Sequence, residues 1–428
     1  MTGGTITPME ALPALRTDID LLTVRLEEKD VIVVRDPLGI ATPNTALTAK
    51  VAPYLPLFNG SSTVGDLQIV MMQHHGGSLV FRADAERIVE DLSRLGILQT
   101  EEYREAKERI VREFSESPER AAALAGSSYP ADRKELTTLL DRILTLPAFP
   151  ADPLPGTPCA LAAPHIDLRV AERTYGAAYR SIRSLSPSAI LLLGTGHALG
   201  ENRYCVTDKT FTTPLGRVRA DRESIARIRE AADGTLAPDD FAHRNEHSLE
   251  FQVLFLQRLF PMEEIPILPV LCGQMEDLFG KVRSPLEAPG LASFVRAVSA
   301  WLSEPPERKL VVAGVDFSHV GPKFGDPHTG RSLEPDFRAY DREILDALAA
   351  GDPSAFFQAG ARARNRHRIC GFSALWTLLA VLPKIRGTIL DYEVWHEDPT
   401  RSAVSFAAMA FTPDPSPESL VAAASSSG

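Results

Sequence analysis

The first part of the chain combines one apolar strand pattern with several helical patterns. The run from Asp30 to Arg35 is apolar and ends at a turn-forming Asp-Pro-Leu-Gly sequence, so it predicts a strand. Apolar residues at helical spacing predict two short helices and two charged ones, over residues 63–73, 83–95, 101–116 and 131–145. Small strands around a compact group of helices indicate a winged-helix-like domain over residues 1–150.

A proline-rich stretch separates this region from the rest of the chain. Residues 145–158 contain five prolines between two patterned regions. Proline-rich runs of this kind are typical of linkers. We therefore expect the domain boundary near residue 155.

Beyond the linker, strand and helix patterns alternate. Residues 159–164, 171–182 and 189–193 read as strand, helix and strand, and apolar runs at 265–271 and 309–315 add further strands. This order predicts an α/β domain over residues 158–412, with a mixed sheet flanked by helices. The last two strands, 388–395 and 403–411, leave no room for a helix between them and should pair antiparallel. We expect the Pro/Ser/Ala-rich tail, 413–428, to be disordered.

Charge and composition exclude several classes of protein. The net charge of −11 argues against a nucleic-acid binder, and 44% hydrophobic with 24% charged residues is the mix of a globular protein. No apolar run approaches the ~18 residues that a membrane span needs. The N-terminus lacks the features of a secretory signal, and the four cysteines are scattered without CxxC spacing. We expect a cytoplasmic protein with reduced thiols.

Three predicted strands each deliver a histidine to the same edge of the sheet. His165, His197 and His319 all follow strand ends, and ligands of open α/β sheets bind outside the carboxyl ends of the strands. Imidazole is a common ligand for transition metals, so three converging histidines favour a metal site. The alternative is that each histidine caps its strand or fills a polar pocket. Three at equivalent positions favour a function.

Cys370 lies immediately before a predicted helix. A thiol at a helix N-terminus has a lowered pKa, and three arginines just upstream (Arg364, Arg366 and Arg368) should favour the thiolate further. Cys370 is therefore a candidate metal ligand or nucleophile. A buried structural cysteine explains the same position equally well.

A histidine and a glutamate share one face of another predicted helix. His247 and Glu250 are three residues apart in the segment Glu-His-Ser-Leu-Glu, so the pair could form a hydrogen-bonded relay. Alternatively, Glu250 complements the helix dipole. The sequence contains no HExxH, P-loop or GxSxG motif, and no GxGxxG following a strand. Zinc-protease chemistry and nucleotide cofactors are not indicated.

Seven short segments follow one another through the second half of the chain: Pro164-His165, Gly196-His197, Thr213-Pro214-Leu215-Gly216, Glu246-His247-Ser248-Leu249-Glu250, Asp316-Phe317-Ser318-His319, Ile369-Cys370-Gly371 and Ser402-Ala403-Val404-Ser405-Phe406. Their order and spacing resemble the Memo family over residues 158–412. Prokaryotic members look like protein B of the AmmeMemoRadiSam system. The resemblance implies a fold similar to the class III extradiol dioxygenases, together with radical SAM and AMMECR1-like partners.

The resemblance also implies a ligand set. His165, His197 and Cys370 would hold the metal, and Asp316 and His247 would line the pocket. His319 would lie beside the ligands, either as the acid/base or as a residue that supports them. The dioxygenase relatives have a glutamate in place of Cys370. A thiolate is a softer donor, which favours Cu(I), zinc or thiolate-bound iron. We therefore expect iron or copper, with zinc as an alternative.

The N-terminal region resembles, more loosely, the PqqD-type domains that hold peptide substrates for radical SAM enzymes. Such domains add a peptide as a strand at a sheet edge. A purely stabilising accessory domain explains the region as well.

Three hypotheses follow for the whole chain. The first is a metal-dependent, dioxygenase-like oxidoreductase. The second is a non-catalytic protein that binds a peptide or a partner. The third, in which the Cys370 thiolate is a nucleophile with His319 or His197 as its base, explains fewer residues.

Overall fold

The structure is a computed structural model that describes residues 11–26, 29–147, 154–232, 234–306, 308–382 and 384–414. The chain divides into two compact units, Met1–Phe114 and Ser115–Gly428. Most of the tail predicted to be disordered, residues 415–428, lies outside the described residues.

The first unit combines a small antiparallel sheet with helices. Its strands pair in the order β1-β2-β3, and a 3₁₀ helix at Ala49–Leu57 follows them. The elements are β1 (Asp20–Leu26), β2 (Lys29–Arg35), β3 (Ala46–Thr48), α1 (Val64–His74), α2 (Arg82–Arg94) and α3 (Glu101–Glu116). The strand and the helices predicted for residues 30–116 are present. The likeness to PqqD-type domains stays a prediction.

The boundary between the units lies earlier than the proline-rich stretch predicted. Residues 115–147 belong to the second unit, where β4 (Glu119–Ala121) and α4 (Arg133–Thr145) form. Leu136, Leu140 and Ile143 of α4 are fully buried in the same core as the large sheet. The prolines therefore join two elements of one unit and do not separate two domains.

A mixed sheet of eight strands forms the centre of the second unit, which confirms the predicted α/β class. The strand order is β12-β14-β5-β11-β6-β10-β7, with β13 paired to β14. Its strands are β5 (Ala160–Ala163), β6 (Ala189–Thr195), β7 (Tyr204–Val206), β10 (Ile267–Cys272), β11 (Lys309–Gly314), β12 (His319–Val320), β13 (Ile385–Glu397) and β14 (Ser402–Pro413). β5, β11, β6 and β10 are parallel, and β13 and β14 form the predicted antiparallel pair. A smaller sheet contains β4, β8 (Thr210–Thr213) and β9 (Gly216–Val218).

Helices cover both faces of the large sheet. They are α5 (Glu172–Arg180), α6 (Arg222–Ala231), α7 (His247–Leu259), α8 (Leu291–Ser303), α9 (Gly330–Ala349), α10 (Pro353–Ala363) and α11 (Phe372–Val381). Alternate residues of β6 pack into opposite cores, Leu191 and Leu193 on one face, Ile190 and Leu192 on the other. A sheet buried on both faces needs continuous apolar strands, as the sequence has.

The parallel strands end at one edge of the sheet. The segments that follow β5, β6 and β11 there carry His165, His197 and Asp316. Within the described part of the chain, none of the helices combines the length and apolar character needed to cross a membrane.

Candidate metal centre

Two imidazoles and one thiol converge at the carboxyl edge of the large sheet. The ligand atoms of His165, His197 and Cys370 all lie within 4.8 Å of one another. The Sγ atom of Cys370 is 3.4 Å from Nε2 of His165. These are the three residues that the resemblance to the Memo family implies as ligands.

His165 is held in one ring orientation by the sheet. Its Nδ1 lies 2.9 Å from the carbonyl oxygen of Gly314 on β11. A carbonyl can only accept, so Nδ1 carries the proton and Nε2 faces Cys370. The main-chain N–H of His165 donates to the Asp316 carboxylate at 3.0 Å. The imidazole is 2% exposed, so these contacts fix it firmly.

His197 is oriented by a carboxylate instead of a carbonyl. Its Nδ1 lies 3.0 Å from one oxygen of Glu246 and 3.2 Å from the other. The main-chain N–H of His197 donates to the same carboxylate at 3.3 Å. Nδ1 is therefore the donor, and Nε2 is again the atom left for a ligand. A carboxylate behind a metal-binding histidine is a common device for fixing the ring and raising its basicity.

Glu246 is a site residue that sequence reasoning missed. It caps α7, where its side chain accepts from the N–H of Ser248 at 2.9 Å. Burial alone would raise the pKa of this carboxyl, but the neighbouring His197 and His247 hold that pKa well below its usual range. Glu246 directly precedes the predicted helix, and that cap position is the signal that could have identified it.

The predicted relay between His247 and Glu250 is wrong. Glu250 is fully buried and pairs with Arg120, and it accepts from the hydroxyl of Tyr129 at 2.5 Å. The imidazole of His247 stacks on that of His197 instead, with ring centres 5.0 Å apart and planes at 13°. His247 thus lies beside His197, and its carboxylate neighbour is Glu246, 3.3 Å from Nδ1.

Helix α7 fixes both strand ends that carry the histidines. The hydroxyl of Ser248 donates to the carbonyl of Thr195 at 3.1 Å, two residues before His197. The amide of Gln252 donates to the carbonyl of Pro164 at 2.9 Å, directly before His165. One rigid helix therefore sets the separation of the two imidazoles.

Cys370 lies just before α11, and its thiol is surrounded by histidines. Burial would raise the pKa of this thiol, but the imidazoles of His165 and His319 outweigh burial and bring the pKa well below its ordinary value. The upstream arginines are not the cause, since Arg366 and Arg368 pair with Asp336 and Asp326.

The charges around His165 raise the pKa of its imidazole, whereas those around Cys370 lower the pKa of the thiol. Burial would lower the pKa of His165, yet the charges of Asp316 and Cys370 raise that pKa to about 9. Burial in turn raises the pKa of Asp316 itself. The negative groups therefore stabilise a positive charge at Nε2 of His165, whether the cation is a proton or a metal.

His319 lies at the rim of this cluster. Its Nδ1 is 2.9 Å from the carbonyl of Phe317, and its ring meets that of Phe324 edge-on at 5.1 Å. The preceding Ser318 donates to the buried Asp341 carboxylate at 2.6 Å, and this bond anchors the turn. His319 is close enough to lower the pKa of Cys370, although no direct hydrogen bond joins the two in the described residues.

The donor set fits a soft or borderline metal ion. Two neutral imidazole nitrogens and one thiolate suit copper, zinc and thiolate-bound iron better than magnesium or calcium, which prefer oxygen ligands. The orientation of both histidines is already fixed through Nδ1, so binding would require little rearrangement.

Comparisons with known proteins agree with these motifs. Residues 120–410 match the family model described as Memo-like protein. A MEMO1 family protein of Aquifex aeolicus is 32% identical over 391 residues, covering 89% of this chain and 96% of the relative. A MEMO1 family protein of Thermus thermophilus is 30% identical over 348 residues, covering 80% and 97%.

Among solved structures, an uncharacterised protein of Escherichia coli K12 aligns with a TM-score of 0.37 at 14% identity, covering 59% of this chain and 98% of that one. The family match and the relatives confirm the resemblance drawn from the motifs. The chain belongs to the Memo-like family.

Proposed function

We propose that this protein binds a transition metal through His165, His197 and Cys370 and acts as a metal-dependent, oxygenase-like redox enzyme. The observation that carries the proposal is the convergence of the three ligand atoms within 4.8 Å at a sheet edge. The donors come from three segments far apart in the chain, and both histidines are fixed by hydrogen bonds through Nδ1.

Iron or copper is the metal we favour, with zinc as the alternative. The thiolate is a soft donor, and the two imidazoles suit all three metals. A bound iron or copper ion would supply redox chemistry, whereas zinc would supply only Lewis acidity.

The chain's own residues would handle protons and orientation. His319 would exchange a proton through Nε2, since its Nδ1 is engaged by the Phe317 carbonyl. Asp316 would hold His165 in place, and His247 would form one wall of the pocket through its stacking on His197.

Metal analysis tests this proposal. Purified protein should contain, or take up, about one equivalent of iron, copper or zinc. His197→Ala and Cys370→Ser should lose that equivalent, whereas Cys159→Ser, which changes a half-buried thiol outside the cluster, should keep it. Bound metal should also protect Cys370 from iodoacetamide. Wild-type protein that takes up no metal would remove the proposal, and a substrate turned over equally well by His319→Ala would remove His319 as the acid/base.

The setting of the enzyme is part of the same proposal. All four cysteines are unpaired thiols, which suits the reducing cytosol. We propose radical SAM and AMMECR1-like proteins as partners. Co-purification with tagged chain from the native cells tests this, and recovery of the chain without either partner would count against it.

A second candidate is a non-catalytic protein that binds a peptide, and the first unit provides the observation that favours it. Strand β1 pairs with β2 on one side only, and no other strand of the described residues covers its outer edge. Such an edge can accept an extended peptide. Proline substitutions along β1 that abolish peptide capture without changing metal content would support this candidate, and unchanged capture would exclude the edge.

A further inference from the structure

One buried cation in the second unit does not touch the metal centre, yet it is bonded to the segment that orients it. Arg120 on β4 is 1% exposed. Its Nε donates to the carbonyl of His243 at 3.0 Å, its Nη2 donates to the carbonyl of Glu246 at 2.7 Å, and its Nη1 pairs with Glu250. A buried guanidinium needs such complete pairing, because an unsatisfied charge in the interior is strongly unfavourable.

The carbonyl that Arg120 holds belongs to the residue that orients His197. Glu246 has an extended backbone at the cap of α7, so its carbonyl and its carboxylate are fixed together with the start of the helix. The carboxylate accepts from Nδ1 of His197 at 3.0 Å and from the main-chain N–H of His197 at 3.3 Å. Glu246 therefore links the guanidinium of Arg120 directly to the candidate metal ligand His197.

The other contacts of the cluster fix the far side of the same helix. Glu250 accepts from the N–H groups of Ala123 and Leu124 at 2.9 and 3.0 Å and from the hydroxyl of Tyr129. These bonds stabilise α7 against residues 120–129, but none of them touches Glu246. Arg120 contacts both Glu250 on α7 and Glu246, the residue that caps the helix.

The geometry points to Arg120 as a positioning residue for the metal centre: it sets the Glu246 backbone so that the carboxylate accepts from Nδ1–H of His197 and directs Nε2 towards the metal. This inference rests on the proposed function. It also makes a statement about the metal-free protein, in which the hydrogen bond from Nδ1–H of His197 to Glu246 depends on Arg120.

Three variants separate positioning from stability. Arg120→Lys keeps a charge for Glu250 but lacks the planar fork that reaches both carbonyls. Arg120→Met combined with Glu250→Gln removes both charges and leaves no unpaired ion in the core. Tyr129→Phe is the matched control, since it removes a hydrogen bond to Glu250 without changing the contacts of Glu246.

The measurements are thermal unfolding, Co²⁺ and Zn²⁺ titration, and the Nδ1–H signal of His197 in ¹⁵N-histidine NMR of metal-free protein, which is visible while the hydrogen bond to Glu246 protects that proton from exchange with water. We expect Arg120→Lys and the double variant to bind both metals ~10- to 100-fold more weakly and to lose this Nδ1–H signal. Tyr129→Phe should change metal affinity less than ~3-fold, even where its unfolding temperature falls as far as that of Arg120→Lys.

The inference is overturned where the double variant recovers both stability and metal affinity, or where either arginine variant keeps the wild-type Nδ1–H signal of His197. It is also overturned where Tyr129→Phe weakens metal binding as much as Arg120→Lys does. Wild-type protein that binds neither metal defeats the proposed function, and the Nδ1–H signal then decides the role of Arg120 alone.

Discussion

The carboxylate of Glu246 lies 3.0 Å from Nδ1 of His197 and also caps helix α7. One side chain thus joins the start of a helix to a candidate metal ligand on a neighbouring strand end. Because Ser248 and Gln252 of the same helix hold the two strand ends, a shift of α7 would move both imidazoles together. The site therefore depends on the helix as much as on its ligands.

Replacing Glu246 with glutamine should weaken metal binding by ~10- to 100-fold, the usual effect of losing the group behind a metal-bound histidine. The amide is similar in shape but lacks the negative charge, so it is a poorer acceptor for His197. Zn²⁺ titration with a competing chelator measures the change. Glu223→Gln, on the exposed side of α6, is the control. Equal Zn²⁺ affinities in the wild type, Glu246→Gln and Glu223→Gln would show that Glu246 does not support metal binding.

Adding one methyl group at Gly314 should disturb the same helix. A Cβ at this position would meet the main-chain oxygen of Ser248 and lie 2.6 Å from Nε2 of Gln252. Overpacking of this kind costs about 1–3 kcal/mol or more, because two rigid elements must separate. We expect Gly314→Ala to lower the free energy of unfolding and to weaken metal binding together.

Tryptophan fluorescence in urea measures the first effect, since all three tryptophans (Trp301, Trp376 and Trp395) lie in the second unit. Gly156→Ala is the control, because the nearest atom to its Cβ would be 3.8 Å away. A Gly314→Ala protein as stable as that control would contradict the close packing of α7 on β11.

Local patterns in the sequence predicted that the histidines of the candidate metal centre would share an edge of the sheet. His165 and His197 both follow apolar strands, and the carboxyl ends of parallel strands share an edge whatever the remaining topology. Cys370 became a candidate through its place before an apolar helix, and its role as a ligand stays a prediction. The antiparallel pair at the end of the chain was equally local, since too few residues separate its strands for a crossover.

What the sequence did not reveal depends on contacts distant in the chain. Glu250 appeared to face His247 because they share a helix face, but its partner is Arg120, 130 positions away. Likewise, the apolar stripe of α4 has the same spacing whichever core buries it, so the sequence does not show to which unit the helix belongs. The prolines after α4 therefore suggested a domain boundary there, whereas α4 packs into the core of the second unit. The place of Glu246 before a predicted helix marks it as a cap, but its contact with His197 depends on the position of α7 relative to β6, which no local pattern gives.

His243 should make the second unit less stable as the pH falls below neutrality. Its ring is 1% exposed, and Nε2 lies 3.1 Å from the carbonyl of Cys205. Burial, the largest cause, lowers the pKa of His243 from 6.5 to about 3. Between these pH values His243 is protonated in the unfolded chain but neutral in the folded protein. The contribution of the neutral ring to the free energy of unfolding is therefore complete above pH 6.5. It is lost as the pH falls, at up to about 1.4 kcal/mol per pH unit.

His243→Gln keeps a donor for the Cys205 carbonyl but cannot titrate. The urea midpoint of the wild type, followed by tryptophan fluorescence, should therefore fall further between pH 7 and pH 5 than that of the variant. Other groups titrate in both proteins, so the difference between them isolates His243. Identical pH dependence in the two proteins would show that this histidine is not buried in its neutral form.

We expect the ion pair between Arg16 and Asp36 to contribute more to the free energy of unfolding of the first unit than its exposed ion pairs do. The two side chains are 0% and 7% exposed and lie 2.8 Å apart. Asp36 also accepts from the N–H groups of Ile40 and Ala41 at 2.7 and 2.6 Å, which closes the turn after β2. Asp36→Ala leaves the buried arginine with Asp18, at 2.9 Å, as its remaining carboxylate partner, so we expect a cost of about 3 kcal/mol, the lower end of the range for breaking a buried pair.

Hydrogen exchange suits this measurement, because the first unit contains no tryptophan. We expect the amides of β2 and α2 to exchange faster in Asp36→Ala by a factor of roughly 10², the fold-change that corresponds to this free energy. Asp91→Ala breaks an exposed pair with Arg94, in which the side chains are 54% and 73% exposed, and should change exchange by less than ~5-fold. Similar protection in both variants would mean that the Arg16–Asp36 pair contributes no more than a surface contact, and that the turn after β2 is held by its main-chain bonds alone.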